Sequence, residues 1–318
     1  MIFKSLHWLQ AMGILSMNRR NAVYIMGSNP RSAFPLVDDK LLTKELAAKY
    51  EISTPPLYHI IKYHGDIAKL KKSLSASRGF VIKPARGAGG SGIILITGET
   101  ERGFITQSGK IISWRDLTSH ISDVLSGIYS LGGTEDSVLI EALVRPDPVF
   151  SSITFEGVPD IRILTYRGVP VMGMLRLPTR ASDGKANLHR GAIGVGIDMR
   201  TGKTLLGVHG SQIIMHHPDT GNPVSNIEVP FWDKMLLTAA RSMEMTGLGY
   251  LGVDMVIDDQ RGPLLLELNA RPGLQIQIAN RTGLKGRLEL VEKAPPEIFG
   301  TSGKRIVWAR EAFGVSGA

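Results

Sequence analysis

Hydrophobic positions recur with two different periods along this chain, and each period predicts a different kind of element. Between residues 38 and 51 the apolar side chains follow helical spacing, which predicts a helix capped by Asp38 or Asp39. Runs of apolar, β-branched residues at 80–82 and 137–144 instead predict buried strands. The chain therefore combines amphipathic helices with strands that are buried on both faces.

The rest of the chain continues this mixture. A β-hairpin that turns near Gly168 is predicted at 160–178, and further helices are predicted at 65–77, 116–131 and 231–246. The elements do not alternate regularly in the way that is typical of parallel sheets with crossover helices. We therefore expect an α+β fold, and the length of 318 residues suits two lobes.

The most informative pattern lies in the segment 252–274, which predicts a hairpin with one acidic face. A turn at 259–262 places Asp254 directly opposite Glu267, with their Cβ atoms about 4.5–5.5 Å apart. Asn269 follows Glu267 on the same face because side chains alternate along a strand. The opposite face is expected to be apolar and to consist of Val253, Met255, Ile257, Leu264, Leu266 and Leu268.

This acidic face has the chemistry of a magnesium site. Two opposed carboxylates repel each other unless a positive charge lies between them. Mg²⁺ takes oxygen ligands and is usually held by one or two carboxylates plus substrate phosphates. Asp254, Glu267 and Asn269 supply such oxygens, and Arg271 follows them with a group that binds phosphate or carboxylate bidentately. The alternative is a solvated sheet face with incidental acids.

Residues 80–96 are predicted to form a strand, a glycine-rich loop and a second strand. Gly87, Gly89 and Gly92 satisfy the pattern G-x-G-x-x-G, but a strand-like run follows where a dinucleotide-binding fold needs a helix. A Walker A loop would end in Gly-Lys-Ser/Thr, and a kinase lysine follows its loop, whereas Lys83 precedes this one. The segment thus predicts a flap over a polyphosphate, with a mobile glycine hairpin as the alternative.

Composition narrows the class of protein further. The chain has 37 Lys and Arg against 29 Asp and Glu, a net charge of +8, and it contains no Cys. Disulfides, thiolate nucleophiles and Cys-bound metals are therefore excluded, so that any metal must bind oxygen or imidazole. The basic residues are dispersed and no nucleic-acid-binding motif occurs, so we predict no nucleic-acid partner.

The N-terminal residues and one histidine-containing loop carry weaker signals. No apolar run reaches the ~20 residues that cross a bilayer, and Phe3, Leu6 and Leu9 instead fit one face of a helix. We therefore expect a cytoplasmic protein without a transmembrane segment. The paired His216 and His217 lie in a loop rich in turn residues and are interpreted as part of a solvated turn rather than a metal site.

Several short segments occur in an order that resembles the ATP-grasp superfamily, over roughly residues 36–275. Within it the chain is similar to the glutamate ligases that modify ribosomal protein S6. It also resembles the glutamate-ligase-like proteins described as sugar-transfer-associated ATP-grasps. The segments that carry the resemblance are Asp39-Lys40 with Thr43-Lys44, Val81–Pro84 with the glycine loop, Glu141–Leu143, Asp160–Arg162, Asn187–Gly191, and Asp254 with Glu267–Asn269.

The resemblance implies a two-lobed ATP-grasp fold with ATP between the lobes, preceded by a short N-terminal helical segment. In these terms residues 1–35 are the N-terminal segment, 36–142 the small lobe with the flap, and 143–318 the large lobe with the Mg²⁺ site. The implied cofactors are ATP and one or two Mg²⁺ ions, which Mn²⁺ can replace.

The resemblance also assigns roles to individual residues. The residues implied to bind ATP are Lys40, Lys83, Gly87, Gly89, Gly90, Ser91 and Gly92, with Glu141 and the Leu143 backbone at the adenine. The hinge Arg145–Pro148 departs from the family pattern, and Asp147 is our own candidate there for the ribose. Asp254, Glu267 and Asn269 are implied to bind the metal. The residues implied to stabilise or orient the reacting groups are Arg162, Arg190 and Asn187. Arg271, where the closest ligases have a small residue, is added to them because it follows Asn269 on the acidic face.

The activity implied by the resemblance is ATP-dependent ligation of a carboxylate to an amine through an acylphosphate. The carboxylate would belong to glutamate or another amino acid, and the amine to a peptide or protein. Two alternatives stay open: a phosphotransferase that acts on a sugar or polyol, and a nucleotide-responsive binding protein. The sequence does not indicate an oligomeric state.

Overall fold

The computed structural model describes residues 11–74, 79–87, 89–130 and 132–314, which fall into two compact units. The small unit comprises Asp39–Glu45 and Thr54–Val144. The large unit comprises the described residues up to Asp38, Leu46–Ser53, and those from Arg145 onward. The predicted lobe bounds, 36–142 and 143–318, treat each lobe as continuous and stay a prediction.

A six-stranded antiparallel sheet organises the small unit. Its strands are β1 (Leu57–Ile61), β2 (Phe80–Pro84), β3 (Ile94–Thr100), β4 (Gly103–Thr106), β5 (Ile111–Ile112) and β6 (Val138–Ala142). They are arranged in the order β1-β6-β2-β3-β4-β5, so that β2 and β6 lie in the interior of the sheet. Both of the strands that carry predicted ATP-binding side chains are therefore flanked on each side by other strands.

Helices cover the small unit's sheet and add to its core. The helices are Ile67–Ser73 and Trp114–Leu125, and Lys40–Lys49 contributes its first turns to this unit. Ser113 and Asp116 form a capping box that fixes the start of the second helix. Its apolar face is buried with Phe80, Ile82 and Ile140 of the sheet. Of the helix predicted at 65–77, residues 75–77 lie outside the described residues.

The large unit is built on a seven-stranded antiparallel sheet. Its strands are β7 (Asp160–Tyr166), β8 (Val169–Leu177), β9 (Ile193–Ile197), β10 (Thr204–His209), β11 (Gln212–Ile214), β12 (Tyr250–Asp258) and β13 (Gly262–Asn269). Their order is β11-β10-β9-β8-β7-β12-β13. The predicted turn between β7 and β8 is confirmed, with Arg167 at φ 51° and Gly168 at φ 72°. This mixture of helices and antiparallel sheets confirms the predicted α+β class.

Helical segments surround this second sheet. They are Met17–Arg19, Arg20–Ile25 (a π-helical turn), Met26–Ser28, Pro35–Asp38, Trp232–Thr246, Gln275–Asn280, Leu284–Glu292 and Ser302–Phe313. A short N-terminal helical segment is therefore present, although the predicted apolar face at Phe3, Leu6 and Leu9 lies outside the described residues. In the part of the chain that the structure covers, no helix is long and apolar enough to cross a membrane.

The β12–β13 hairpin confirms the central register prediction and corrects a detail of it. Asp254 pairs with Glu267 as predicted, but the register shifts by one residue between Asp254 and Met255. A bulge of this kind inserts one residue into one strand and reverses the alternation beyond it. Leu265 consequently joins the large core with Val253, Met255, Ile257 and Leu268. The prediction that Leu264 and Leu266 share that face is wrong.

Candidate functional site

Among the described residues, two groups of buried or largely buried charged side chains contain residues with predicted site roles, one group in each unit. In the small unit Lys44, Lys83 and Glu141 form what we call the lysine cluster. In the large unit Asp160, Arg162, Arg176 and Asp254 form what we call the arginine–aspartate network. Buried charges are rarely left unpaired, and in both groups side chains of opposite charge contact one another.

The lysine cluster depends on the pairing of β2 with β6. Glu141 faces Val81 across the two strands, so Lys83 lies at a diagonal position within reach on the same face. The Lys83 Nζ atom is 2.7 Å from Glu141 Oε2, and the two side chains are 8% and 3% exposed. The structure thus brings together two predicted ATP-binding residues and makes them an ion pair.

Lys44 is the member of this cluster that sequence reasoning missed as a site residue. Its Nζ atom lies 3.0 Å from Glu141 Oε1 and donates a hydrogen bond to the Pro55 carbonyl at 2.6 Å. Burial lowers the pKa of Lys44 to about 8, and the neighbouring Lys83 acts in the same direction, although Glu141 opposes both. The signal in the sequence was its spacing, since Lys44 lies one helical turn after Lys40.

The glycine-rich loop is held in place by side chains from several elements of the small unit. Lys40 Nζ donates to the Gly87 carbonyl at 2.5 Å, so this predicted phosphate ligand contacts the loop itself. A His120 ring nitrogen lies 2.9 Å from the Gly92 carbonyl. Gly92 has φ 72°, and a Cβ there would come within 2.7 Å of the Tyr129 ring, so the position requires glycine. Sequence reasoning did not identify His120 or Tyr129.

The predicted flap residues Gly89, Gly90 and Ser91 are exposed at the tip of this loop. Gly89 and Gly90 have φ values of 63° and 77°, which place consecutive peptide groups in the left-handed region. Leu143 follows Ala142, the last paired residue of β6, and its implied role at the adenine stays a prediction.

The arginine–aspartate network is fixed by strand register in the large unit. Asp254 on β12 faces Arg162 on β7, and Asp160 on β7 faces Arg176 on β8. Arg162 binds Asp254 through two nitrogens, Nε to Oδ1 at 2.6 Å and Nη2 to Oδ2. Arg176 binds both oxygens of Asp160, and its Nη2 atom is also 3.0 Å from Asp254 Oδ2. The four side chains therefore form one continuous chain of ion pairs.

These contacts set the protonation of the two aspartates differently. Burial alone would raise the pKa of Asp254, but Arg162 and Arg176 together hold it well below its usual range. Burial raises the pKa of Asp160 to about 6; Arg176 opposes this rise, while the nearby charge of Asp254 adds to it. Asp254 is therefore ionised at neutral pH and is only 1% exposed.

Glu267 and Asn269 lie beside this network as predicted. The Asn269 amide donates to Asp254 Oδ2 at 3.2 Å and to Glu267 Oε1 at 3.3 Å, so it bridges the two carboxylates. Among the described residues Glu267 makes no ion pair, unlike Asp254. Glu267 is thus the carboxylate whose negative charge is left without a direct cationic partner.

The donor set fits a magnesium ion. Asp254, Glu267 and Asn269 present only oxygens once the Asn269 amide rotates by half a turn about its last side-chain bond. A bound Mg²⁺ would share Asp254 with Arg162 and Arg176 and would supply the positive charge that Glu267 lacks. Within the described ranges no cluster of three or more His, Asp or Glu side chains with the spacing of a metal site occurs. The amide oxygen is therefore an essential third ligand in this assignment.

Three other residues with predicted roles lie in the large unit, outside this network. Asn187 caps the short helix Leu188–Arg190 through its side chain, which accepts the His189 N–H at 3.0 Å. Arg190 itself is exposed and forms no side-chain hydrogen bond or ion pair with another described residue. Asp147 caps the helical turn Pro148–Phe150 and accepts the Val149 N–H. Their predicted roles toward a ligand stay predictions.

Arg271 makes two side-chain contacts that the sequence did not indicate. Its guanidinium pairs with Asp38 at 3.1 Å and lies over the Phe34 ring, 4.8 Å from the centroid. The side chain is 51% exposed, so this contact is a weak anchor that a ligand can displace. Its proposed role at a substrate carboxylate also stays a prediction.

One expectation about histidines needs correction. His217 is 1% exposed, so it is not part of a solvated turn. Its Nδ1 atom accepts the Asp219 N–H, and its Nε2 atom donates to the Pro178 carbonyl at 2.9 Å. This pair of contacts requires a neutral ring and explains the residue as a structural element of the loop.

Comparison with known proteins identifies the family of the chain. Residues 19–293 match the family model described as sugar-transfer associated ATP-grasp. The fold and the ordered motifs thus define an ATP-grasp protein, as predicted. Since the match covers most of the chain, the protein belongs to the sugar-transfer associated ATP-grasp family.

Solved structures of ATP-grasp ligases are similar to the chain at low identity. D-alanine–D-alanine ligase from Bacillus anthracis, complexed with ATP, is 14% identical, with a TM-score of 0.45 over 88% of this chain and 69% of that one. The ATP-grasp ligase PsnB, complexed with a minimal precursor, is 12% identical, with a TM-score of 0.43 over 82% of this chain. The chain spans 60% of that PsnB structure. No curated protein matches the sequence.

Proposed function

We propose that the protein is an ATP- and Mg²⁺-dependent ligase that joins a carboxylate to an amine. The observation that carries the proposal is the set Asp254, Glu267 and Asn269, held in register beside Arg162 in a member of an ATP-grasp family. Lys40 and Lys83 would supply cations, and the loop Gly87–Gly92 would supply N–H groups, to the phosphates of a nucleotide, with Glu141 next to Lys83 as an acceptor.

In the proposed reaction a carboxylate oxygen of the acid attacks the γ-phosphorus of ATP, and ADP leaves. The amine then attacks the acyl carbon, the amide forms, and inorganic phosphate leaves with the acyl oxygen that was phosphorylated. Mg²⁺ on Glu267, Asn269 and Asp254 would neutralise charge on the phosphoryl oxygens. Arg162 and Arg190 would stabilise the charge that develops there, since positioning and electrostatics dominate such chemistry.

The substrates in this proposal are an amino acid as the acid and a peptide or protein as the amine. The family description names sugar transfer, so a phosphotransferase acting on a sugar or polyol is the second candidate.

The direct test is product analysis with the purified protein, ATP, Mg²⁺, pooled amino acids and a cell extract as the source of amines. We expect ADP and free phosphate to appear only when an amine is present, with a product heavier by one amino-acid residue. The variant Glu267→Gln, which keeps the shape of the side chain, should form no product. A product heavier by one phosphoryl group would establish the phosphotransferase instead, and tight ATP binding without turnover would indicate a binding protein.

A further inference from the structure

Lys44 is a buried cation that the proposed function does not use. It lies on the helix Lys40–Lys49, and its side chain is 10% exposed. Its ammonium contacts Glu141 Oε1 at 3.0 Å and the Pro55 carbonyl at 2.6 Å. Burying an ammonium group costs free energy. If Lys44 served only to fill space, an apolar side chain would fill the same space without a loss of stability.

The geometry of the cluster divides the two oxygens of Glu141 between two lysines. Lys83 Nζ lies 2.7 Å from Oε2, and Lys44 Nζ lies 3.0 Å from Oε1. The contact between Lys44 and Oε1 does not have hydrogen-bond geometry, so Oε1 accepts no hydrogen bond among the described residues. One carboxylate therefore faces two ammonium groups, and the cluster carries an excess positive charge in a buried place.

Within the described part of the chain, no other charged group compensates Lys44. The charged groups that act on it are Glu141 from β6 and Lys83 from β2. The segment before β1 contributes the neutral carbonyl of Pro55. An anion that reaches Lys83 would remove the excess charge, and Glu141 would still keep a cationic partner in Lys44.

We propose that Lys44 is a positioning residue for nucleotide binding: it holds Glu141 from the side opposite Lys83, so that Lys83 is free to turn to the phosphates of a nucleoside triphosphate. This inference rests on the proposed function, because it assumes that Lys83 binds the nucleotide. When Lys83 turns away, Lys44 becomes the sole cation on Glu141 and keeps that carboxylate ionised and oriented.

If Lys44 has this role, nucleotide binding should be coupled to proton uptake. Burial lowers the pKa of Lys44 to about 8, so part of the free protein carries a neutral Lys44 above that pH. Nucleotide binding demands the charged form, because Lys83 no longer shares Glu141 and a polyanion has arrived. Binding therefore takes up a proton above pH 8, and affinity falls as the pH rises further, by up to about tenfold per pH unit.

The test is isothermal titration calorimetry with a non-hydrolysable ATP analogue at pH 7, 8 and 9, in buffers that differ in ionisation enthalpy. For the wild type we expect proton uptake at pH 8 to 9 and affinity that falls over this range. Lys44→Met should weaken binding about tenfold at pH 7 and abolish the proton uptake. Lys44→Arg stays charged throughout, so it should keep most of the affinity and lose the pH dependence.

The controls separate this inference from the proposed function. Lys69→Met removes a lysine that is 83% exposed, and it should bind with the affinity and pH profile of the wild type. Circular dichroism establishes that each variant is folded, and the Arg variant covers the case in which Lys44→Met does not fold. A wild type that binds no nucleotide would overturn the proposed function together with the role of Lys44. Nucleotide binding with unchanged affinity and proton uptake in both Lys44 variants would overturn the role of Lys44 alone.

Discussion

The lysine cluster and the arginine–aspartate network are both buried, but they differ in how their charges balance. The lysine cluster has two cations for one carboxylate, and the network has two arginines for two aspartates. The cluster therefore has a net charge that an anionic ligand can neutralise, whereas the network is complete without a ligand. Glu267, beside the network, forms no ion pair with another described residue.

This difference suggests that the lysine cluster serves ligand binding and that the arginine–aspartate network serves the stability of the fold. Unbalanced buried charge lowers the stability of the free protein. A ligand of opposite charge neutralises it and so restores that stability when it binds. Balanced charge instead stiffens the site, because every group of the network has at least one partner of opposite charge. We therefore expect substitutions in the cluster to act mainly on nucleotide binding, and substitutions in the network to act mainly on folding.

The largest effect should come from removing the carboxylate at the centre of the network. Asp254→Ala leaves Arg162 without its partner and removes one of the two partners of Arg176, and the free energy of unfolding should fall by about 3–5 kcal/mol. Chemical denaturation followed by circular dichroism measures this loss. Glu267→Gln is the matched control on the neighbouring strand and should cost less than about 1 kcal/mol. Equal losses in the two variants would contradict the contrast between paired and unpaired carboxylates.

A smaller effect is expected when the network is given the charge imbalance of the cluster. Asp160→Asn leaves two arginines with one aspartate and should lower the free energy of unfolding by about 1.5–3 kcal/mol. Adding Arg176→Met restores the balance, so the double variant should lose less than the sum of the two single variants. The double-mutant cycle measures this coupling, and strict additivity would exclude the ion pair as its cause.

The pH dependence of stability tests the imbalance in the lysine cluster without any ligand. The pKa of Lys44 is lowered to about 8, so between pH 8 and its ordinary value the unfolded chain binds more protons than the folded protein. Stability of the wild type relative to Lys44→Met should therefore rise as the pH increases from 8 to 10, by about 1–2 kcal/mol. Denaturation at these two pH values tests this, and a relative stability that falls or stays constant would contradict it.

The smallest effect on folding should come from Lys83, since its loss leaves Lys44 and Glu141 as a balanced pair. Lys83→Met should change the free energy of unfolding by less than about 1 kcal/mol and raise the Kd for an ATP analogue about tenfold, or 1.4 kcal/mol. Denaturation and calorimetry on the same preparation separate the two effects. If Lys83→Met lowered the free energy of unfolding as much as Asp254→Ala does, Lys83 would serve mainly to stabilise the fold.

Much of the site was predictable because strand register carries it. The pairing of Asp254 with Glu267 followed from alternation and one turn position, and the structure confirms it. In the hairpin around Gly168, uninterrupted pairing from the turn would place Leu175 opposite Asp160, and a register shift between Leu164 and Thr165 places Arg176 there instead. The bulge after Asp254 was not predicted, because a bulge adds one residue to one strand and no particular residue type marks its position.

Contacts between elements distant in the chain were harder to predict. Lys44 meets Glu141 through the packing of a helix against β6, and His120 meets the Gly92 carbonyl from another helix. Neither contact has a periodicity in the sequence, since each depends on how separate elements pack. His217 likewise looked like a turn residue, because its burial comes from the neighbouring Pro178 segment rather than from its own sequence context.

The most direct test of the proposed nucleotide and metal sites is calorimetry with a non-hydrolysable ATP analogue, with and without Mg²⁺. It compares the wild type with Lys83→Met and Glu267→Gln. Glu297→Gln, at an exposed position, serves as the control. We predict that Lys83→Met weakens binding about tenfold under both conditions, whereas Glu267→Gln weakens it only when Mg²⁺ is present. If Glu267→Gln retained the full gain in affinity that Mg²⁺ gives the wild type, the assignment of the metal to Asp254, Glu267 and Asn269 would be wrong.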